Sequence, residues 1–442
     1  MNNRFHHPVL VCVMAVILFL GTSIPAHSQS APPDIRPLSL SQAVTLALQN
    51  ARNFRLSQAG IARAEAERQQ IAALFRPQVF TGTGLAATKG FPLSIEGSAP
   101  SIFQLSTNQS LFDRNLSNLE KQAGKMRDAA AQSLEEKRDD IAALTASVYL
   151  DLDRSLRAIT FLRFQSVSLS FIEEMLQQRV EEGLEPPLES ARAALETARI
   201  NSNVVMLENR IAQLDFQLRD LAGITEPVSI ETQAVNIPPL EPEQSPDRLY
   251  ALARERHPGL AALEEEVRAR EFQVRSEQGT RWPRVNLVGQ YGLFSDINNF
   301  SDYFRRFERH NATFGISVMV PVYERERYSA RLSKAEADLE DARARLEETR
   351  SALSRRAHEL WAQLRQQDAA LEVARLELTV AQESLDATQA LYEEGKVSRL
   401  ALQQDAAAET RFHIALLDAE FQSSQSRIEL LRLTGQIRTT LP

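Results

Sequence analysis

The sequence predicts a mainly α-helical, elongated chain built as two structural repeats, with a β portion of four strands. Three observations carry this reading. Residues 324–394 hold neither proline nor glycine and place an apolar residue at every seventh position. The order of helices, strands and glycines in the first half recurs in the second. Between the helices lie four short segments with one apolar and one uncharged polar face.

The seven-residue repeat runs through Leu332, Leu339, Leu346, Leu353 and Leu360 and, after one step of four, through Leu364, Leu371, Leu378, Leu385 and Tyr392. Ala335 and Ala342 follow a leucine by three, as a second seam line requires. Such a repeat specifies a helix packed along its whole length, with a left-handed supercoil. The step of four reads as either an a-to-d shift or a stutter. Residues 324–394 would extend on the order of 100 Å as a helix, so the chain forms an elongated assembly.

Residues 1–28 read as a secretory signal: Arg4, an apolar run from Val9 to Leu20, and Ala26-His27-Ser28 as a small-x-small cleavage site. A membrane anchor is the rival, but the apolar run falls short of the roughly 20 residues a spanning helix needs. The one cysteine, Cys12, lies in that run. The mature chain is therefore expected to lack disulfides, thiolate metal sites and a cysteine nucleophile. The net charge of -8, which becomes -9 when Arg4 leaves with the signal, argues against nucleic acid as a partner.

In order, a helix is expected over residues 39–75, stopped by Arg76-Pro77. A strand over 79–85 follows, then a loop with Gly90, Pro92, Gly97 and Pro100. The next strand, Phe103 to Phe112, puts Phe103, Leu105, Thr107, Gln109 and Leu111 on one face. A long helix covers residues 114–182, a tip 183–187, and a shorter helix runs to Gly223. After a connector with Pro227, Pro238, Pro239 and Pro242, Ser245 caps a helix with Pro246 at its first position. That helix runs to Arg281 and stops at Trp282-Pro283. Val285, Leu287, Gly289, Tyr291 and Leu293 alternate with Arg284, Asn286, Val288, Gln290 and Gly292, and Phe314, Ile316, Val318 and Val320 with Thr313, Gly315, Ser317 and Met319. The rod, a tip at Gly395 and a shorter helix to Gly435 complete the second half. Pro77 and Pro283 differ by 206, and Gly183/Gly395, Gly223/Gly435 and Tyr149/Trp361 each by 212. The expected organisation is a signal (1–28), a first repeat (29–225), a proline-rich connector (226–244) and a second repeat (245–442).

Four strands with one apolar face are the sequence signature of membrane β-strands. Two hairpins packed on helices are the alternative for either pair alone. Rods of this length offer no globular core for hairpins to cover, and that decides for the membrane. Four strands do not close a barrel, and open edges are not tolerated in lipid. The chain must then oligomerise to close them.

Taken together the chain resembles the TolC-like outer-membrane efflux and secretion factors over the whole mature sequence. The resemblance rests on Ala47-Leu48 with Ala59, the stops Arg76-Pro77 and Trp282-Pro283, Ser110-Leu111-Phe112-Asp113, Val320-Pro321-Val322-Tyr323, and Tyr392-Glu393-Glu394-Gly395 followed by Leu400 and Ala406. It implies a homotrimer with a transmembrane β-barrel of 12 strands in the outer membrane of a Gram-negative bacterium, four from each copy. Coiled-coil helices form a periplasmic α-barrel below it. A periplasmic adaptor (membrane fusion protein) and an inner-membrane pump would dock at the tips. The implied function is passive conduction in a tripartite efflux pump or type I secretion system, gated at those tips. A periplasmic coiled-coil adaptor is the alternative, but it would carry one helical hairpin flanked by compact β domains.

The resemblance places adaptor docking at Gly183, Leu188, Glu189, Tyr392, Gly395 and Leu400, and a candidate gate at Arg399, Gln404 and Asp405. Ala401 and Gln404 stand where the family often has acidic residues, and Pro186-Pro187 replaces the usual small and β-branched pair. Phe80, Phe103, Phe112, Trp282, Tyr291, Phe314 and Tyr323 are read as lipid-interface girdles. His257, His310, His358 and His413 stand alone without ligand spacing, and no Walker A, GxSxG, GxGxxG or HExxH pattern occurs. No enzymatic activity, cofactor or metal is expected.

Overall fold

The structure, a computed structural model, describes residues 35–84, 101–226, 228–233, 237, 245–294 and 308–441. The expected signal segment, the expected loops between the paired strands and most of the proline-rich connector lie outside these residues. In chain order the elements are β1 (Ile35–Leu38), α1 (Leu40–Gln49), a 3-10 turn (Ala51–Phe54), α2 (Arg55–Ala73), β2 (Gln78–Gly84), β3 (Ser101–Phe112), α3 (Arg114–Glu181) and α4 (Pro187–Ala222). They continue with β4 (Ser229–Thr232), α5 (Pro246–Arg256), α6 (Pro258–Gly279), β5 (Arg284–Phe294), β6 (His310–Met319), α7 (Arg325–Glu393), α8 (Arg399–Leu433) and α9 (Ile437–Thr440).

α3 and α7 are the rods, 68 and 69 residues long. α3 starts where the Asp113 carboxylate accepts the Asn115 and Leu116 backbone N–H groups. Such a cap satisfies donors that a helix start leaves unpaired. Above mid-height α2, α3, α6 and α7 lie side by side; below it the order is α4, α3, α8, α7. Each rod thus changes its partners at mid-height.

That exchange resolves the step of four. On α7, Leu346, Leu353, Ala357, Leu360 and Leu364 are buried and Thr349 is half-buried. From Leu346 the steps run three, four and four, an eleven-residue stutter that straightens the supercoil locally. The fault falls where α5 packs on the rod, with Leu249, Ala253 and Leu260 joining Leu346, Leu353, Ala357 and Leu360 in one cluster.

Both expected single helices are broken. Residues 39–75 divide at Asn50, whose amide donates to the Asp220 and Leu221 carbonyls at 3.2 and 3.1 Å and so caps the end of α4. Residues 245–281 divide at His257, held extended because Pro258 follows it. The expected count of four strands is also corrected: β1 and β4 pair in parallel as a separate two-stranded sheet. The fully buried Tyr149 ties this sheet to α3, its hydroxyl donating to the Leu38 carbonyl at 2.6 Å and accepting from the Gln233 N–H at 2.7 Å.

Gly183, Gly223, Gly395 and Gly435 all have left-handed φ, between 66° and 74°. Each ends a helix with the two overlapping backbone bonds of a Schellman turn, as in Leu184 N–H to Arg179 O and Gly183 N–H to Val180 O. The glycine spacing that marks the repeat is therefore a spacing of helix ends.

Candidate functional site

β2, β3, β5 and β6 form one antiparallel sheet in that order, with β3–β5 joining the two repeats. The register puts Val79, Leu105, Tyr291 and Leu287 on one face with Phe314, Ile316 and Val318. The other face carries Gln104, Ser106, Asn108, Asn286, Gln290, Thr313 and Ser317. Phe314 is 75% exposed and Ile316 64%, so the apolar face has no cover among the described residues. Gly289 lies opposite Phe314, and a Cβ there would stand 2.7 Å from Thr107 Cγ2 and 3.4 Å from the Phe314 ring. Glycine lets that ring lie across the strand.

The girdle reading needs two corrections. Phe80 pairs with Ser106, which puts it on the polar face, because one residue along a strand reverses the side chain. Phe314 lies mid-strand rather than at a rim. The others keep to the ends: Phe103 and Tyr291 contact at the loop end, ring centroids 6.3 Å apart, and Phe112, Trp282 and Tyr323 lie at the helix end.

At the opposite pole the two tips expose Leu184, Leu188, Leu391, Tyr392 and Leu400. Glu189 accepts from Arg192 Nη1 at 2.8 Å, one turn into α4. Pro186 at the N-cap position has no side-chain acceptor and leaves α4 without a side-chain cap, whereas Ser398 caps α8 by accepting the Ala401 N–H at 3.2 Å.

Of the candidate gate residues, Arg399 lies over the Phe171 ring of α3, 4.3 Å from its centroid. Asp405 accepts from Thr388 Oγ1 at 2.5 Å, joining α7 to α8, and Gln404 is exposed. The structure thus separates them: Arg399 links the two hairpins, Asp405 acts within one. Further contacts along the α3–α8 seam are Phe161 stacked on His413 at 4.6 Å, Arg154 with Asp418, and Ser147 with Gln425 at 2.8 Å. Phe171 and Thr388 carry no signal in the sequence, since their partners are 228 and 17 residues away.

At mid-height α3 brings Glu135, Glu136, Asp139 and Asp140 against Arg432 and Arg438. Burial raises the Glu136 carboxyl, Asp140 adding to the effect; burial likewise raises Asp139 although Arg438 opposes it. Burial and then Arg432 hold the His257 imidazole below its usual range. Among the described residues no cluster of His, Cys, Asp or Glu is arranged to hold a metal ion. No helix among them is long and apolar enough to cross a membrane.

The profile of the outer membrane efflux protein family matches twice, over residues 43–224 and 249–436. The outer membrane efflux protein BepC of Brucella suis biovar 1 is 24% identical over 441 residues, 96% of this chain and 90% of that protein. A membrane protein of Pseudomonas aeruginosa shares the fold at a TM-score of 0.73 and 22% identity, covering 90% of each chain. The CmeC outer membrane channel of Campylobacter jejuni does so at 0.73 and 13%, covering 90% of this chain and 85% of that one. Two matched repeats around one apolar-faced sheet place the chain in the outer membrane efflux protein family.

Proposed function

We propose that three copies of this chain close their sheets into one outer-membrane barrel and their hairpins into a periplasmic conduit. As a member of its family the chain is an outer-membrane channel subunit for efflux or secretion. The observation that carries the trimeric reading is the sheet itself: among the described residues β2 and β6 each leave one edge unpaired beside an apolar face. Backbone groups at such edges cost several kcal/mol each in hydrocarbon, so only closure with further copies is stable there. The helices agree. α4 and α7 flank the lower layer and expose Val205, Met206 and Phe216 on one side, Val373, Leu376 and Val380 on the other.

In this reading conduction is passive and a pump in the inner membrane supplies the energy; the chain needs no catalytic group or cofactor. The tips around Gly183, Leu188, Glu189, Tyr392, Gly395 and Leu400 dock a periplasmic adaptor. Arg399 on Phe171 clasps the hairpins shut from within one copy, while Gln404 and Asp405 line the entrance. A free-standing adaptor does not suit a chain with two helical hairpins and an uncovered apolar sheet.

The test is single-channel conductance of the purified protein in planar bilayers, with its mass measured in the same detergent. Discrete pores from a trimer are expected, with Arg399→Ala raising the open fraction. A non-conducting monomer would overturn the reading. Exchanging residues 183–189 or 395–400 with another member's should change adaptor preference; unchanged preference would remove docking from the tips.

A further inference from the structure

We propose that the cleft beneath β6 seats the phosphate of an anionic glycerophospholipid from the periplasmic leaflet. The proposal rests on the membrane position of the sheet and adds a ligand to it. The cleft, about 780 Å³, lies between the end of α6 and the start of α7 and is lined by Arg281, Val322, Tyr323, Glu324, Arg325 and Tyr328 among others.

Charge is the first argument. The segments that join strands to helices carry Arg76, Arg114, Arg281, Arg284, Arg325 and Arg327 against Asp113, Glu324 and Glu326. A chain of net charge -8 thus concentrates an excess of cations at this rim. Two of these three carboxylates are occupied: Asp113 caps α3, and Glu324 lies 3.6 Å from Arg331. Arg281 lies over the Tyr328 ring at 5.2 Å, and Arg325 has no ion pair or ring contact among the described residues. Guanidinium groups match phosphate oxygens in paired hydrogen bonds, and an aromatic face beneath one fixes its plane.

Continuity with the sheet is the second. Val320 and Val322 prolong the even-numbered apolar series of Ala312, Phe314, Ile316 and Val318 below the last strand residue. Val322 is 92% exposed and Tyr323 87%. Acyl chains against this series put the lipid's phosphate level with Arg281 and Arg325. A zwitterionic headgroup brings its own cation to the arginines, so the site favours an anionic one.

The experiment compares full-length protein in nanodiscs and detergent, scoring retained lipid by mass and thermal midpoint with phosphatidylglycerol against phosphatidylcholine. Wild type is expected to retain the anionic lipid about fivefold better, and Arg281→Gln/Arg325→Gln to lose that preference while still conducting. Arg325→Gln alone makes the same test if the double variant fails to fold. An equal preference in wild type, a preference the variants keep, or the same stabilisation by inorganic phosphate would each overturn the site. Failure to enter nanodiscs at all would instead overturn the membrane reading on which it rests.

Discussion

Tyr149 shows how one side chain holds this architecture together. Its hydroxyl joins the backbone of two segments 111 and 84 residues away, and phenylalanine would leave a buried carbonyl and N–H without that partner. Tyr149→Phe should cost about 1–3 kcal/mol, read as a lower thermal midpoint with unchanged helix content. The repeat spacing singles out Tyr149 in the sequence, yet no local pattern announces what its hydroxyl meets. Glu136 makes a second case. Its folded pKa is raised by burial, so its contribution to stability is full below the unfolded value near 4.3 and is lost as pH rises through the folded one. Glu136→Gln should therefore stabilise the protein at pH 7 and change nothing near pH 3, a difference that thermal melts at the two pH values resolve. His257 has the opposite sign: its lowered pKa costs stability as pH falls below the usual imidazole range.

At the scale of elements, two glycines in long helices separate space from propensity. A Cβ on Gly279 would stand 2.8 Å from the Asn115 nitrogen and 2.9 Å from the Arg114 carbonyl carbon, where α6 crosses the start of α3. Gly279→Ala should destabilise by about 1–3 kcal/mol, because backbone cannot rotate aside. Gly124 meets only Arg68 Cδ at 3.8 Å, so Gly124→Ala should stabilise by about 0.5–1 kcal/mol. Thermal midpoints of the two variants, moving in opposite directions, check the pair. Proline stops, glycine ends and the seven-residue period made the long elements legible. The break at Pro258 was also written in the sequence, since proline restrains the residue before it. The break at Asn50 was not, because its cause is the far end of α4. Nor were β1 and β4, four residues each and without an alternating face long enough to register.

For the whole molecule, the sequence located both tips through their glycines but not the contacts that close the seam, which depend on how two hairpins align. That alignment now gives a prediction about assembly. Within one copy α3 meets α8, fixed by Phe161 on His413 and Arg399 on Phe171. α4 is set against α3 by Ser166 to Asn201 and Arg163 to Glu208, and α7 against α8 by Thr388 to Asp405. These pairings bring Met206 of α4 and Val380 of α7 to similar heights on opposite flanks, both exposed. In a closed ring of copies, α4 of one meets α7 of the next, and the two apolar strips cover each other. The one cysteine, Cys12, lies in the segment expected to be a cleaved signal, so Met206→Cys/Val380→Cys/Cys12→Ser has a clean background. Oxidation should link this two-cysteine variant into trimers on a denaturing gel, while either single-cysteine variant stays monomeric. Absence of linked trimers from a protein that still conducts would mean that the helical layers meet by other faces than α4 and α7.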